Sequence, residues 1–206
     1  MKKLVGALVA TVAFVFMSSW ALAAPIPLQL AVGDEIRAVQ QVPGARGGPF
    51  NVSIGGSLIG TTFCAELGEF IFGNQTYTVA SIQDFSIAGS TITGKNLTPE
   101  EAFLMTNYWK GLYNPADFLA LQDALWHFQG WPEFAGTSNL FTALAIEAVE
   151  NEAWTGLGRV RIATLVDSNG GPAQDLYTQI PEPATLLLLG FGIVGLGMAR
   201  RKLNHL

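Results

Sequence analysis

Thr98-Pro99-Glu100-Glu101 marks the point where the chain changes from a strand-like to a helical period, and that change decides the fold class. A threonine with glutamate three residues on forms a capping box, and proline at the first helical position has no N–H to leave unpaired. Upstream, residues 50–92 hold short runs rich in Val, Ile, Thr and Phe, separated by Gly55-Gly56, Gly68, Gly73-Asn74 and Gly89. This pattern predicts about four or five short strands. Downstream, one helix is expected from Pro99 to about Lys110. A second starts at Asn114-Pro115 and carries Ala116 to about Phe128, where Gly130 and Pro132 stop it. A third runs from Thr137 or Ser138 to about Trp154, followed by a strand over 159–166, a turn over 168–172 and a short extended piece over 175–180. Residues 24–48 read as mixed, because Pro25, Pro27, Pro43 and Gly44 break any regular run. The expected class is α+β, an antiparallel β-sheet or barrel with a three-helix insertion.

The two ends carry different information. Lys2 and Lys3 precede an apolar run over 4–16, and Ala21-Leu22-Ala23 offers small residues where a signal peptidase reads them. Cleavage is expected before Ala24, giving a signal peptide over 1–23. At the other end, Pro181-Glu182-Pro183 precedes an uncharged, largely apolar run over 184–199 and then Arg200-Arg201-Lys202. A bilayer span takes roughly 17 to 25 residues, so this single transmembrane helix sits at the lower limit. The basic triplet fits a cytoplasmic stop. Proline-glutamate-proline, apolar helix and basic end, in that order over 181–206, resemble the PEP-CTERM signal of exported bacterial proteins. That resemblance implies processing by exosortase, a membrane-embedded transpeptidase-like enzyme of Gram-negative bacteria that make extracellular polysaccharide. It implies an inner-membrane intermediate and then a cell-surface or extracellular product. Between the signals lies one expected domain over 24–180, long enough for a real core.

Charge separates in the same way. Lys2, Lys3, Arg200, Arg201 and Lys202 are five of the eleven basic residues, whereas all sixteen acidic residues lie between Asp34 and Glu182. The middle therefore holds six basic against sixteen acidic residues, a net −10, which argues against nucleic acid or anionic lipid as partners. His127, His205 and the single Cys64 are too few soft ligands for a zinc or iron site, so no metal and no cofactor is expected.

Cys64 and Gln122 carry the sharp hypothesis. Cys64 stands in Thr61-Thr62-Phe63-Cys64-Ala65-Glu66-Leu67, read as a strand, and Gln122 in Leu121-Gln122-Asp123-Ala124-Leu125-Trp126 on the second helix. At about 100° per residue, Phe118, Leu119, Leu125 and Trp126 all fall within about 60° of Gln122, so the carboxamide is centred on an apolar arc. A buried amide without partners costs about 1–3 kcal/mol, so this one needs either hydrogen bonds to a strand backbone or a chemical purpose. A lone exported cysteine is likewise either a small buried hydrophobe or a blocked nucleophile.

The two strings resemble the paired motifs of bacterial thioester domains, aromatic-Cys-hydrophobic and hydrophobic-Gln-x-hydrophobic-hydrophobic-Trp. The resemblance implies an internal thioester between Cys64 and Gln122, shielded by Phe63, Phe118, Trp126 and Trp109. It also implies covalent adhesion to an amine on a partner protein, a single event without turnover, so the chain is not expected to be an enzyme. Two rivals stand beside it. One is a non-catalytic structural or polysaccharide-associated matrix or biofilm protein, in which Tyr108, Trp109, Tyr113, Trp126 and Trp131 fill the core or stack on sugars. The other is a cysteine hydrolase using Cys64 with His127, which the helix disfavours because His127 lies about 140° from Gln122.

Overall fold

Residues 24–43, 46–86 and 95–181 are described in the computed structural model of the chain. The first strand arises where the prolines predicted none. Between Pro27 and Pro43, the stretch Glu35-Ile36-Arg37-Ala38-Val39-Gln40 alternates exposed and buried, and it forms β1 (Glu35–Gln40) with Ile36 and Ala38 in the core. The prolines flank this strand instead of interrupting it. β2 (Phe50–Ile54) and β3 (Ser57–Thr62) follow as a hairpin. Its turn, Gly55-Gly56, has positive φ at both positions (57° and 84°), a pair of conformations that glycine adopts without a Cβ clash. β4 (Tyr77–Gln83) closes the first half. The apolar run Phe70-Ile71-Phe72, expected as part of a strand, forms none; Phe70 and Phe72 project into solvent.

The helical insertion lies between β4 and β5. α1 (Pro99–Trp109) begins on the predicted capping box: the Thr98 hydroxyl accepts from the Glu101 N–H at 3.2 Å, and the Thr98 N–H donates to Glu101 Oε2 at 2.8 Å. α2 (Phe118–Phe128) follows a short 3₁₀ turn over Pro115–Asp117. α3 (Leu140–Glu150) starts later and ends earlier than expected, because Asn139 is the residue that caps it and Asn151 closes it. The chain returns to the sheet as β5 (Val160–Val166) and β6 (Pro172–Gln179). β6 is longer than the expected extended piece and begins in the predicted turn. All its interior residues are buried, since helices cover the face that a simple sheet would leave wet.

The six strands pair antiparallel in the order β3-β2-β1-β4-β5-β6, an open ladder with β3 and β6 at its ends. The α+β class and three-helix insertion stand; as a strand order the sheet is open, not a barrel. Yet the two ends are stitched together. Beyond β3 the chain bridges to β6 at Cys64 and Leu176, with Ala65 N–H donating to Asp175 O at 2.9 Å. The stretch 26–30, expected as irregular, fills the remaining gap: Thr61 N–H donates to Ile26 O at 2.9 Å and Gln179 N–H to Leu28 O at 2.8 Å. α1 packs on α2, α3 and β5, and the core is continuous from Leu28 and Ile36 to Leu121 and Tyr177.

Among the described residues no helix is long and apolar enough to cross a membrane. The expected signal peptide over 1–23 and the expected span over 184–199 lie outside the described residues. The capping box carries a direct prediction: Thr98→Ala removes one helix-terminal acceptor and lowers unfolding free energy by about 1 kcal/mol. Equilibrium denaturation checks it, and an unchanged midpoint would show that α1 does not depend on its cap.

Candidate functional site

Thr61 and Thr62 still pair with β2 at the end of β3; past them, the stretch 63–66 runs between β6 and the helices, with a strand partner on the β6 side alone. Other backbone groups over 61–66 are met by helical side chains. Trp109 Nε1 of α1 donates to Thr61 O at 2.7 Å, and Trp126 Nε1 of α2 donates to Glu66 O at 3.0 Å. Gln129, at the end of α2, donates to Ala65 O. Gln122 meets Cys64 itself: its Nε2 donates to Cys64 O at 3.1 Å, and its Oε1 accepts from Cys64 N–H at 3.2 Å.

The two residues singled out by sequence are therefore brought together, both fully or almost fully buried (0% and 1% exposed). Cys64 lies past the end of β3, in an isolated bridge, and not within a strand as expected. Gln122 Oε1 has a second backbone donor that sequence did not reveal, Gly48 N–H at 2.9 Å. The preceding Gly47 is pressed against the same group: a Cβ there would lie 2.4 Å from Gln122 Oε1 and 2.5 Å from its Cδ. A glycine pair before a proline reads only as a turn, so no local signal marks its contact with a residue on α2.

The aromatic surround is partly as expected. Phe63 stands edge-on to Tyr108 (4.8 Å between centroids) and Phe118 (5.9 Å). Tyr108 takes a place in this cluster that was not anticipated, while Trp109 and Trp126 serve the strand edge with their ring nitrogens. Leu119, expected on the buried arc, is exposed. The ring Nδ1 of His127 is 2.9 Å from Phe134 O, so its polar contact is away from Cys64.

Carboxyl groups gather beside Cys64. Glu66 is fully buried; its Oε1 accepts from Asp175 N–H at 2.9 Å. Burial, followed by the nearby Asp175 and Glu69, pushes its pKa up from 4.5 to about 10, so it stays protonated at neutral pH. Burial, with Glu66 as a lesser cause, also raises the Cys64 thiol, which is held as S–H. Glu101 is buried too and accepts a short hydrogen bond from Tyr177 OH. Burial raises it to about 7 against the opposing effect of hydrogen bonds from Tyr177 and Thr98. Among the described residues no His, Cys, Asp and Glu group is arranged to hold a metal ion.

A cleft of about 540 Å³ opens on the outer side of Gly47, lined among others by Phe50, Glu69, Phe70, Trp126 and Glu133. Ala24, the expected mature N-terminus, is exposed and rests against Gly111, while Ala21 and Ala23 lie outside the described residues. Pro181 is exposed just beyond β6; Glu182, Pro183, Arg200, Arg201 and Lys202 lie outside the described residues.

The sequence matches a family model described as the PEP-CTERM protein-sorting motif over residues 179–202, beginning at the last residue of β6. The motif implies processing by exosortase, export, and a cell-surface or extracellular destination. Comparison with curated proteins and with solved structures gives no match. None of these comparisons supports the thioester-domain resemblance.

The raised carboxyls fix a pH dependence. A group whose folded pKa exceeds its unfolded value contributes stability that is complete below the unfolded pKa and is lost as pH rises through the folded one. For Glu101 that window runs from 4.5 to about 7, and for Glu66 from 4.5 to about 10. The melting temperature should therefore fall between about pH 5 and about pH 9. Glu66→Gln, a neutral mimic of the protonated acid, should melt like wild type at the acid end and lose less on the alkaline side. A midpoint that rises with pH in wild type would contradict the assignment.

Proposed function

We propose that this is an exported, exosortase-processed surface or extracellular protein whose domain over 24–180 forms an internal thioester between Cys64 and Gln122 and uses it to acylate an amine on a partner. The observation that carries the reading is the seating of the Gln122 carboxamide on Cys64 itself, with two backbone N–H groups on its carbonyl oxygen. When the sulfur adds to Cδ, negative charge develops on Oε1. Preorganised donors in a buried site stabilise that charge.

The S–C bond forms as the C–N bond breaks, and the thiol proton leaves with the amide nitrogen as ammonia. Because burial keeps Cys64 protonated, the proton must move during the step, and the contribution of the fold is fixed proximity. The same burial slows hydrolysis of the product. A partner amine then attacks the Gln122 carbonyl: a new C–N bond forms, the C–S bond breaks, and the amine proton ends on Cys64. The event occurs once per molecule and gives covalent adhesion without turnover.

A second reading has its own observation. Trp109, Trp126 and Gln129 also cap the 61–66 edge, so hydrogen bonding alone accounts for a buried Gln122. Under that reading the protein is a non-catalytic structural or polysaccharide-associated matrix component. The cysteine hydrolase reading has no support from the placement of His127.

Intact mass separates the two. The wild-type protein should be one ammonia lighter than its sequence and show no thiol when unfolded in acid, and methylamine should restore the thiol and add its own mass. Cys64→Ala should have its full mass. Gln122→Ala is a poorer control, since it orphans Gly48 N–H and both polar groups of Cys64. A wild type with full mass and one thiol would leave only the structural reading.

A further inference from the structure

We infer that the outer face of β1, β2 and β3 is a two-fold contact with a second copy of this chain, in which Phe72 of each protomer enters an apolar pocket of the other. The contact is independent of any chemistry at Cys64.

The knob is an aromatic ring on a fixed backbone. Phe72 is 57% exposed, a large apolar side chain left in water. Its N–H donates to Tyr77 Oη at 2.8 Å, and its carbonyl accepts from Gln75 N–H at 3.0 Å. Tyr77 is itself buried in the core. The turn that follows Phe72 lies on β1, since a Cβ on Gly73 would be 3.4 Å from Val39 Cγ2. A ring presented in this way has little backbone freedom left to lose on binding.

The pocket opens on the same face. Directly opposite residues of antiparallel strands share a face. Val39, Asn51 and Thr61 therefore form one row across β1, β2 and β3, and Arg37, Ser53 and Leu58 form the next. Phe72 stands beyond the β1 end of the first row. At the β3 end the Thr61 hydroxyl accepts from Tyr108 OH at 3.0 Å. There a pocket of about 300 Å³ is lined by Ile26, Leu58, Thr61, Tyr108, Tyr113 and Phe118, among others. A cavity of about 150 Å³ already takes a benzene ring, so this one has room for a phenylalanine side chain. Gln41 also lines the pocket and donates to Asn51 Oδ1 at 2.8 Å, which ties the pocket to the middle of the row.

Knob and pocket thus occupy opposite ends of one row, with Asn51 of β2 between them. Neighbouring strands are about 4.8 Å apart, so the two ends lie at similar distances from β2. A two-fold axis through β2 exchanges them and puts each Phe72 into the other protomer's pocket. This is the self-complementary arrangement of a closed dimer.

Charge favours a second copy as the occupant. Neither the pocket lining nor the row of Val39, Asn51 and Thr61 holds a charged side chain. Charge appears only at the margins: Arg37 in the next row donates to Thr76 Oγ1 at 3.4 Å, and Lys110 and Asp117 are exposed beside the lining residues Gly111 and Pro115. Between the expected signals the chain carries six basic and sixteen acidic residues, so two copies repel over most of their surfaces. An uncharged strip with a knob at one end and a hole at the other is where such copies can meet, and interface cores are depleted in charge.

Sedimentation of the full chain in a mild detergent tests this. Wild type should be a dimer at tens of micromolar protein. Phe72→Ser removes the knob, and Leu58→Glu puts a charge at the pocket; each should weaken dimerisation at least about tenfold. Both positions are exposed, so both variants should keep the wild-type melting temperature. An equimolar mixture of the two variants regains one of the two knob-and-pocket contacts and should sediment as a heavier species than either alone. No gain on mixing would overturn the two-fold exchange. The apolar run over 184–199 is common to all these chains, so a dimer held by it would persist in both variants, and that result would overturn the proposed face. A monomeric wild type would do the same and leave Phe72 and the pocket to a different partner.

Discussion

One unpaired backbone edge governs much of this structure. Once β3 has ended at Thr62, the stretch 63–66 has β6 on one side and no strand on the other, and buried peptide groups without partners are costly. The helices resolve this with side chains: Trp109, Gln122, Trp126 and Gln129 reach across the interface to Thr61, Cys64, Glu66 and Ala65. A helical insertion is thereby locked to the sheet by directional contacts as well as by apolar packing. The residues that perform this task sit at spacings along α1 and α2 that place polar atoms on otherwise buried faces. The candidate chemistry is a special case of the same device, at the one position where the backbone being capped belongs to a cysteine.

The stitching also explains why so many polar side chains are fully buried. Glu101 caps α1 with one oxygen and receives Tyr177 of β6 with the other, so a helix start and the last strand share one carboxyl. Thr62 donates to Tyr177 O at 2.6 Å, and Thr178 links to Leu28 and Leu30. These contacts join the two ends of an open sheet. Their cost is electrostatic: Glu66 and Glu101 are removed from water and hold their protons far above the usual carboxylate range.

The last strand and the sorting motif meet at Gln179. β6 is buried along its interior, with Ile180 N–H donating to Arg159 O at 2.9 Å and Pro181 exposed immediately after. Any processing at the Pro-Glu-Pro element therefore acts, in sequence, directly after β6.

By itself the sequence determined the elements whose causes are local. The capping box at Thr98, the proline starts, the Gly55-Gly56 turn and the Pro-Glu-Pro tail with its apolar run and basic end each depend on neighbouring residues only. It also placed Gln122 on a buried face, because helical periodicity is a local property. It missed β1, since flanking prolines look like breaks until a neighbour supplies hydrogen bonds, and it expected a strand at Phe70–Phe72 where no neighbour exists. Only the tertiary structure decided that Gln122 meets Cys64, that Gly48 donates to the same oxygen, and that Gly47 walls a cleft holding Glu69 and Glu133. Those residues stand on separate elements, and their proximity follows from closing the sheet ends under α1 and α2. No spacing along the chain encodes it.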